Sequence, residues 1–204
     1  MVDLYLASQS PRRRELLAQI GVQYQVLEVN VPERQQSNES PREYVQRLAQ
    51  EKSQAGWRCL TDANRRADAK MVCPVLGADT LIEFQGRVLE KPENEADEVA
   101  MLGALSGQTH RVLSAVALTS ERGTAVKLSV TDVRFRPLSE QEVRRYWRTG
   151  EPADKAGGYG IQGLGAVFVE HLSGSYSGVV GLPLNETREL LEDYGVAYWI
   201  GQDA

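Results

Sequence analysis

A chain of 204 residues that is 42% hydrophobic and 25% charged is large enough to bury a sizeable core, and this composition excludes a disordered or fibrous protein. Its net charge of −5 argues against a general nucleic-acid binder, because such domains present an extended basic face to the phosphates. A local basic cluster, suited to a small phosphorylated ligand, is still compatible with this charge.

The sequence also predicts a soluble protein in the reducing environment of the cytoplasm. Cys59 and Cys73 cannot form a disulfide framework and have none of the paired spacing of a zinc site. The N-terminal residues include Asp3 and only a four-residue apolar run, so they lack the apolar region of a secretory signal. Since no stretch approaches the roughly 20 apolar residues of a membrane helix, we expect no membrane association.

Strands and helices alternate from the start of the chain. The predicted elements of the first part are a strand at Leu4 to Ala7, a helix at Ser10 to Ile20, a strand at Val22 to Val29 and a helix at Ser40 to Ala55. The next stretch, from Trp57 to Ala69, is polar and rich in Arg and Asp, and we interpret it as a variable surface connection.

The second part continues the same alternation. A hairpin is predicted from two strand-like runs around Gln85-Gly86, Val75 to Phe84 and Val88 to Lys91. The later elements are a helix at Glu95 to Leu105, strands at Arg111 to Thr119 and Ala125 to Arg136, a helix from the capping residue Ser139 to Arg148, a strand at Ala166 to His171 and a helix at Asn185 to Tyr194. This mixed order, without internal repeats, predicts a single α/β fold.

Three arginines occupy the first turn of the first predicted helix if Ser10 is its N-cap: Arg12, Arg13 and Arg14. The helix dipole makes this end positive, so each cation is misplaced there by a few tenths to about 1 kcal/mol unless an anion compensates. Exposed N–H groups at the same end are themselves an anion site. The pattern favours phosphate binding, and the alternative is three solvated arginines in surface ion pairs.

Asp79 interrupts an otherwise apolar run from Val75 to Ile82. An ionised carboxylate in a buried strand is costly unless it is paired, hydrogen-bonded or bound to a metal. The adjacent Gly77 and Ala78 leave room for a ligand to approach the backbone. Burial therefore makes Asp79 the best candidate for a general base or a metal ligand, and the alternative is a structural hydrogen bond at a strand end.

The predicted hairpin brings further charged residues towards Asp79. In its two-residue register Thr80 lies opposite Lys91, and Asp79 shares a face diagonally with Glu90. A single bulge would reverse this relation. The sequence therefore leaves open whether a second acid for a metal, or a cation for phosphate, faces the site.

Residues 158–163, GYGIQG, match the pattern G-x-G-x-x-G. They follow no predicted strand and open no predicted helix, so the dinucleotide-binding interpretation is rejected. The glycines indicate a loop where backbone packs close to a ligand, with Gln162 offering an amide to a base edge. The alternative is an ordinary tight connection.

Several separated motifs, in this order, resemble the Maf family of nucleotide pyrophosphatases: SQSPRRRELL, GADTLIEF with VLEKP, LSGQTHRV, GEPADKAGGYGIQG and VVGLPL. The resemblance extends from about Leu4 to about Tyr194. It implies one Maf-like domain over residues 1–204, with a mixed twisted sheet, flanking helices and two lobes around a cleft, as in inosine triphosphate pyrophosphatases. It also implies cleavage of a nucleoside triphosphate to monophosphate and pyrophosphate with Mg²⁺ or Mn²⁺, and a homodimer.

The resemblance implies roles for individual residues. Asp79 is the expected general base that activates water for attack on the α-phosphate. The phosphates are expected to contact Arg13, Lys52 and Lys91. Glu33 is expected to place the divalent metal together with Asp79, and this role rests on the resemblance alone.

Three positions, Arg12, Thr80 and Gln162, resemble the branch of the family that hydrolyses dTTP and UTP. The branch that acts on 7-methyl-GTP would be expected to have Trp, Gln and Glu at these positions. An amide such as Gln162 can pair with the O4 and N3–H groups of uracil or thymine. Gly158 departs from the Ala that is more usual in this branch.

A second hypothesis is a nucleotide-binding regulator of cell division without significant hydrolysis, which the family's association with septum formation keeps open. A third is an enzyme of the same chemistry that acts on another base, such as a modified pyrimidine.

Overall fold

The computed structural model describes residues 3–67 and 73–199. Its strands are β1 (Leu4–Ala7), β2 (Tyr24–Val26), β3 (Val75–Phe84), β4 (Arg87–Leu89), β5 (Thr109–Ser120), β6 (Gly123–Phe135) and β7 (Val169–Ser173). Its α-helices are α1 (Pro11–Gln19), α2 (Pro41–Ala67), α3 (Glu95–Leu105), α4 (Glu140–Trp147), α5 (Tyr176–Val180) and α6 (Leu184–Tyr194). Short 3₁₀ helices cover Glu151–Asp154, Ala156–Gly158 and Leu164–Phe168.

The strands form one mixed sheet in the order β2-β1-β3-β5-β6-β7, and β4 pairs with β3. Strand β1 is parallel to both β2 and β3, as expected for strands joined through helices. The pairs β3–β4 and β6–β7 are antiparallel. The predicted α/β class, with a mixed sheet and flanking helices, is confirmed.

The chain divides into two compact units. The first contains the described residues up to Asp79, the segment Ser114–Leu128 and the described residues from Gly181 onwards. The second contains Thr80–Leu113 and Ser129–Val180. The single domain expected over the whole chain stays a prediction.

The core of the first unit brings α2 unusually close to β3. The core residues include Leu4, Leu6, Leu17, Val45, Leu48, Leu76, Leu118 and Leu190, all of which are buried. Gly77 is where the two backbones approach, since a Cβ atom there would overlap the carbonyl oxygen of Ala49 and lie 2.5 Å from the amide nitrogen of Ser53. The absence of a side chain at position 77 therefore sets the distance between the helix and the strand.

The core of the second unit is rich in aromatic rings. It contains Ile82, Leu102, Leu105, Val112, Val133, Phe135, Val143, Tyr146, Tyr159 and Phe168. Phe135 and Tyr159 meet edge to face with their centroids 4.7 Å apart, and Nε2 of the buried His110 lies 2.8 Å from the Tyr159 hydroxyl. Burial lowers the pKa of His110 to about 4, so this ring is neutral at physiological pH.

Helix α2 is longer than the sequence predicts. It continues to Ala67, so the surface connection predicted from Trp57 to Ala69 is wrong as far as Ala67, and the rest of that stretch lies outside the described residues. No Gly or Pro follows Gly56 in the helix, and the Thr61 hydroxyl donates to the Trp57 carbonyl within it. A polar composition indicates solvent exposure but does not end a helix.

Strands β4, β5 and β6 differ from their predicted bounds by one or two residues and two other strands by more, whereas β1, β3 and α3 have the predicted bounds. The strand predicted at Val22 to Val29 is reduced to β2, Tyr24–Val26, which pairs only with β1 at the edge of the sheet. The strand predicted at Ala166 to His171 begins at Val169, because Leu164–Phe168 forms a 3₁₀ helix. Short apolar runs do not distinguish these alternatives by periodicity.

Glu98 is a buried acid in the second unit. It lies on α3 and is 0% exposed, and neither carboxylate oxygen has a hydrogen-bond partner among the described residues. Gly158 packs against it so closely that a Cβ atom at position 158 would overlap Oε2 of Glu98. Burial raises the pKa of Glu98 to about 8, so the folded protein favours its neutral form.

We expect Gly77→Ala to destabilise the protein by about 1–3 kcal/mol, because the added methyl group overlaps helix backbone that must shift. The matched control is Gly103→Ala in α3, where no atom lies within 4 Å of the new methyl group. Helix propensity should make that variant up to about 1 kcal/mol more stable. Urea denaturation of both proteins measures the difference, and equal destabilisation would contradict the close approach at Gly77.

We expect Glu98→Gln to gain stability relative to the wild type as the pH rises from about 4.5 to about 8. In this window the unfolded chain has lost the Glu98 proton while the folded chain keeps it, so the wild type loses stability with increasing pH. Glutamine cannot ionise and escapes this loss.

Thermal denaturation at a series of pH values gives the difference in melting temperature between variant and wild type. This difference should rise through the window and level off above it. Glu121→Gln, in the exposed turn between β5 and β6, should show no such trend. A difference for Glu98→Gln that does not change with pH would show that Glu98 is ionised in the folded protein.

Candidate functional site

Four of the residues predicted for the site, Arg13, Glu33, Lys52 and Asp79, form one ion cluster in the first unit. The Lys52 ammonium is at its centre and donates to Glu33 Oε1 at 2.6 Å and to Asp79 Oδ1 at 2.7 Å. The two carboxylates thus converge on a single cation. Glu33 and Asp79 are far apart in the sequence, so only the fold could establish this convergence.

The fold of β3 and α2 explains why Lys52 reaches Asp79. Asp79 lies two residues after Gly77 on the buried strand β3, and Lys52 lies on the part of α2 that Gly77 contacts, between Ala49 and Ser53. Asp79 is only 7% exposed and Lys52 only 9%. The close backbone approach therefore delivers a lysine to an otherwise costly buried carboxylate.

Arg13 is held in the same cluster by neutral groups. Its Nε donates to the carbonyl oxygen of Gly181 at 2.9 Å, and one terminal nitrogen donates to the Ser8 hydroxyl at 3.1 Å. Burial lowers the pKa of Arg13, while the charges of Asp79 and Glu33 act in the opposite direction. These charges show that the guanidinium shares its environment with both acids.

Ser8 is a functional candidate that the sequence analysis missed. Its buried hydroxyl accepts from Arg13 and also from the Ser10 amide at 3.3 Å, so it links the end of β1 to the start of α1. The Ser10 side chain makes no capping hydrogen bond, although Ser10 is the N-cap as predicted. The sequence signal that could have identified Ser8 is a hydroxyl residue placed between a buried strand and the start of a helix.

The charges of the cluster are balanced. Arg13 and Lys52 contribute two positive charges, and Glu33 and Asp79 contribute two negative ones. Burial raises the pKa of Asp79, whereas Lys52 and Arg13 lower it and Glu33 raises it further. A triphosphate approaching this cluster would therefore meet no net positive charge from the four side chains alone.

The donor chemistry of the cluster fits a hard divalent cation. Glu33 and Asp79 offer carboxylate oxygens that already surround one cationic atom, and Mg²⁺ is commonly held by one or two carboxylates together with substrate phosphates. No group of three or more His, Cys, Asp or Glu side chains suited to a metal occurs among the residues that the structure describes. Glu33 and Asp79 are thus the two carboxylates of the cluster that could hold such a cation.

The other residues predicted for the site differ in their burial and in the unit to which they belong. Arg12 is half-buried on α1, next to Arg13. Thr80, Lys91 and Gln162 belong to the second unit, where Thr80 is half-buried and the other two are exposed. The structure thus brings together the base, the acid and two of the three cations that the resemblance implies.

The hairpin has the predicted register. The pairs Ile82–Leu89, Glu83–Val88 and Phe84–Arg87 surround the turn at Gln85-Gly86, whose residues have φ values of 51° and 79°. Strand β4 ends at Leu89, so the ladder stops before the predicted pairing of Thr80 with Lys91. Glu90 instead accepts a hydrogen bond at its carbonyl oxygen from the Gly157 amide at 3.0 Å.

The end of the glycine loop, residues 158–163, and the two residues after it pack on a carboxylate of their own unit. Glu151 accepts from the amides of Leu164 and Gly165 at 2.7 and 3.0 Å, and a Cβ atom at Gly163 would overlap its oxygens. The loop leads into a 3₁₀ helix and not an α-helix, which confirms that it is not a dinucleotide fingerprint. At Gly163 the alternative of a tight structural connection is therefore correct, while Gln162 is exposed to solvent.

We expect Lys52→Ala to cost about 3 kcal/mol of stability or more, because it leaves the buried Asp79 carboxylate without its ammonium partner. Asp79→Asn should cost clearly less, since Lys52 keeps the ion pair with Glu33 and can still donate a hydrogen bond to the amide oxygen at position 79.

The double variant Lys52→Ala/Asp79→Asn should recover part of the loss, because the unpaired charge is gone. Urea denaturation of all three proteins gives the coupling energy. Strictly additive effects would contradict a stabilising buried pair.

No helix in the described ranges combines the length and the apolar composition needed to cross a membrane.

Comparison with known proteins places this chain in a family. The model of the family described as Maf-like protein matches residues 3–194. A dTTP/UTP pyrophosphatase of Saccharophagus degradans is 60% identical over 97% of this chain and 91% of that protein. Proteins of the same name from Alkalilimnicola ehrlichii and Pectobacterium atrosepticum are each 51% identical, over 96% and 95% of this chain and 94% of each relative. Since these matches cover nearly the whole sequence, the chain belongs to the Maf family.

Proposed function

We propose that the protein is a nucleoside triphosphate pyrophosphatase that hydrolyses dTTP and UTP to the monophosphate and pyrophosphate. The observation that carries the proposal is the buried carboxylate of Asp79, which shares Lys52 with Glu33 beside Arg13. Relatives that are 60% and 51% identical over nearly the whole chain carry the name dTTP/UTP pyrophosphatase, and this supports the substrate.

In the proposed reaction Asp79 is the general base. Its carboxylate accepts a proton from water as the water oxygen forms a bond to the α-phosphorus, and the bond from that phosphorus to the oxygen bridging to the β-phosphate breaks. Pyrophosphate leaves with that oxygen. The burial that raises the pKa of Asp79 makes it a stronger base than an exposed aspartate, which supports this role.

The cations of the cluster supply contacts for the phosphates. Arg13 is pre-oriented by Ser8 and Gly181, so it can bind an anion without ordering its side chain first. Lys52 has three N–H donors and directs two of them to Glu33 and Asp79, so the third can be donated to a phosphate oxygen. Lys91, the third cation, is exposed and joins this proposal through the resemblance alone.

Glu33 and Asp79 are the residues that would hold the divalent metal, Mg²⁺ or Mn²⁺. When bound, such a cation neutralises phosphate charge and polarises the phosphoryl oxygens. The balanced charge of the four side chains supports this requirement, because without further positive charge they cannot attract a triphosphate strongly.

Arg12, Thr80 and Gln162 are proposed to select the base. The exposed amide of Gln162 has both a donor and an acceptor, which matches the N3–H and O4 groups shared by uracil and thymine. Adenine presents an amine donor and a ring-nitrogen acceptor instead, so an amide oriented for a pyrimidine would leave polar groups unpaired, whereas guanine has the same N–H and carbonyl pair and would be excluded by its larger two-ring size.

The alternative, a regulator of cell division that binds nucleotide without hydrolysis, is not favoured, because the relatives are named as enzymes. The location in the cytoplasm, the homodimer and the lack of nucleic-acid binding remain predictions of the sequence.

We expect the purified protein to release pyrophosphate from dTTP and UTP much faster than from dATP, dGTP or 7-methyl-GTP in the presence of Mg²⁺ or Mn²⁺. A coupled pyrophosphate assay over this panel measures kcat/KM for each nucleotide. Turnover of the purine nucleotides that equals or exceeds that of dTTP and UTP would refute the substrate assignment, and binding without turnover would support the regulator.

In the same assay Asp79→Asn should lower kcat by about 10²- to 10⁴-fold, as expected for the loss of a general base. Its melting temperature serves as the control for folding. An Asn variant with full activity would exclude Asp79 as the base.

A further inference from the structure

The loop that carries Glu33, residues 31–40, is attached to α2 by polar contacts. Eight of its ten residues are exposed, and none belongs to a helix or a strand. Val31 is its only half-buried apolar residue, so the burial of apolar side chains contributes little to holding it in place. What fixes the position of Glu33 must be sought among charged and hydrogen-bonding groups.

Arg47 is the centre of these contacts. It lies on α2, and its guanidinium forms a fork with Glu39, with Nε donating to Oε1 at 2.6 Å and a terminal nitrogen donating to Oε2 at 2.8 Å. The same terminal nitrogen donates to the carbonyl oxygen of Arg34 at 3.0 Å. The other terminal nitrogen lies 3.1 Å from a carboxylate oxygen of Glu51, on the next turn of α2. Arg47 thus joins the helix to two points of the loop.

The pair of Arg47 and Glu39 is shielded enough to stabilise the loop. The two side chains are 21% and 9% exposed, unlike the solvated pairs that contribute little. Glu39 in turn orders the loop, because its carboxylate accepts from the Gln36 amide at 2.9 Å and its carbonyl oxygen accepts from the Gln35 side chain at 2.7 Å. The hydrogen bond from Arg47 lowers the pKa of Glu39, so the pair stays charged well below neutral pH.

Glu33 depends on this arrangement more than its own ion pair suggests. Its side chain is 55% exposed, so the ion pair with Lys52 is partly solvated and by itself contributes little. The adjacent residue, Arg34, has its carbonyl oxygen fixed by Arg47, and both Arg47 and Lys52 project from α2. One helix therefore anchors the backbone beside Glu33 and also contacts its carboxylate.

We propose that Arg47 is a positioning residue that holds the 31–40 loop, through Glu39 and the Arg34 carbonyl, so that Glu33 stays beside Lys52 and Asp79. The hydrogen bonds of Arg47 go to Glu39, to Glu51 and to the Arg34 carbonyl, so it acts on the cluster through the loop. The consequence for turnover rests on the proposed function, whereas the anchoring of the loop does not.

Hydrogen–deuterium exchange tests the anchoring without any activity. A peptide covering residues 31–40 should exchange faster in Arg47→Ala than in the wild type, because its backbone loses the attachment to α2. Arg47→Lys should change in the same direction, since an ammonium cannot reproduce the bidentate fork and the bond to Arg34 together. Arg42→Ala is the matched control on the same helix, as its side chain is exposed. Unchanged exchange in both Arg47 variants would overturn the proposal.

Kinetics test whether the anchoring acts on Glu33. In Arg47→Ala the Mg²⁺ concentration for half-maximal pyrophosphate release from dTTP should rise about tenfold, as for the loss of an outer-shell contact, with a smaller change in kcat. In a Glu33→Gln background the same substitution should have little further effect on this concentration. A rise of equal size in both backgrounds would overturn the route through Glu33, because a general loss of structure acts independently of that carboxylate.

The two experiments separate the possible failures. A wild-type protein without turnover would refute the proposed function, and the exchange measurement would still decide the anchoring. If Arg47→Ala does not fold, Arg47→Lys and Glu39→Gln provide the same comparison, and both should show faster exchange in the loop than Arg42→Ala.

Discussion

A single ammonium group shared between two carboxylates is the interaction on which the candidate site depends. Asp79 is buried in a strand of apolar neighbours, where an unpaired charge would be several kcal/mol less favourable than in water. Lys52 makes its ionised form tolerable. The same pairing draws Glu33 to the site and leaves the four charges balanced, so the cluster is stable without a ligand and still has hydrogen-bonding groups to exchange with one.

This interaction requires a particular backbone arrangement. Lysine reaches the acid because Gly77 lets α2 rest against β3, and the arginine is held near it because Ser8 and Gly181 fix the guanidinium at the start of α1. Small residues and hydroxyls thus determine where the charged groups lie. Charged side chains are usually long and flexible, but these contacts restrict the two cations. Such restriction is what the positioning of a reacting group requires.

The sequence predicts those parts of the fold and site that depend on local patterns. The bounds of β3 and the turn at Gln85-Gly86 follow from an apolar run and a glycine, and the importance of Asp79 follows from one charge in that run. Contacts between distant segments do not follow from such patterns. The pairing of Glu33 with Lys52 is of this kind, and Glu33 entered the analysis only through family resemblance. The prediction that α2 ends at Ala55 failed for another reason, because the solvent exposure of a segment does not determine its backbone conformation.

The packing of Gly158 against Glu98 links the changes that the two positions can tolerate during evolution. A methyl group at position 158 overlaps the carboxylate, and the φ value of 70° adds backbone strain for any residue other than glycine. A shorter residue at position 98 removes the overlap but not the strain. The same Gly158→Ala change is therefore more harmful in this protein than in one whose residue 98 is shorter or turned away. The cost of a side chain at position 158 therefore depends on the residue at position 98, so the two positions are expected to be energetically coupled.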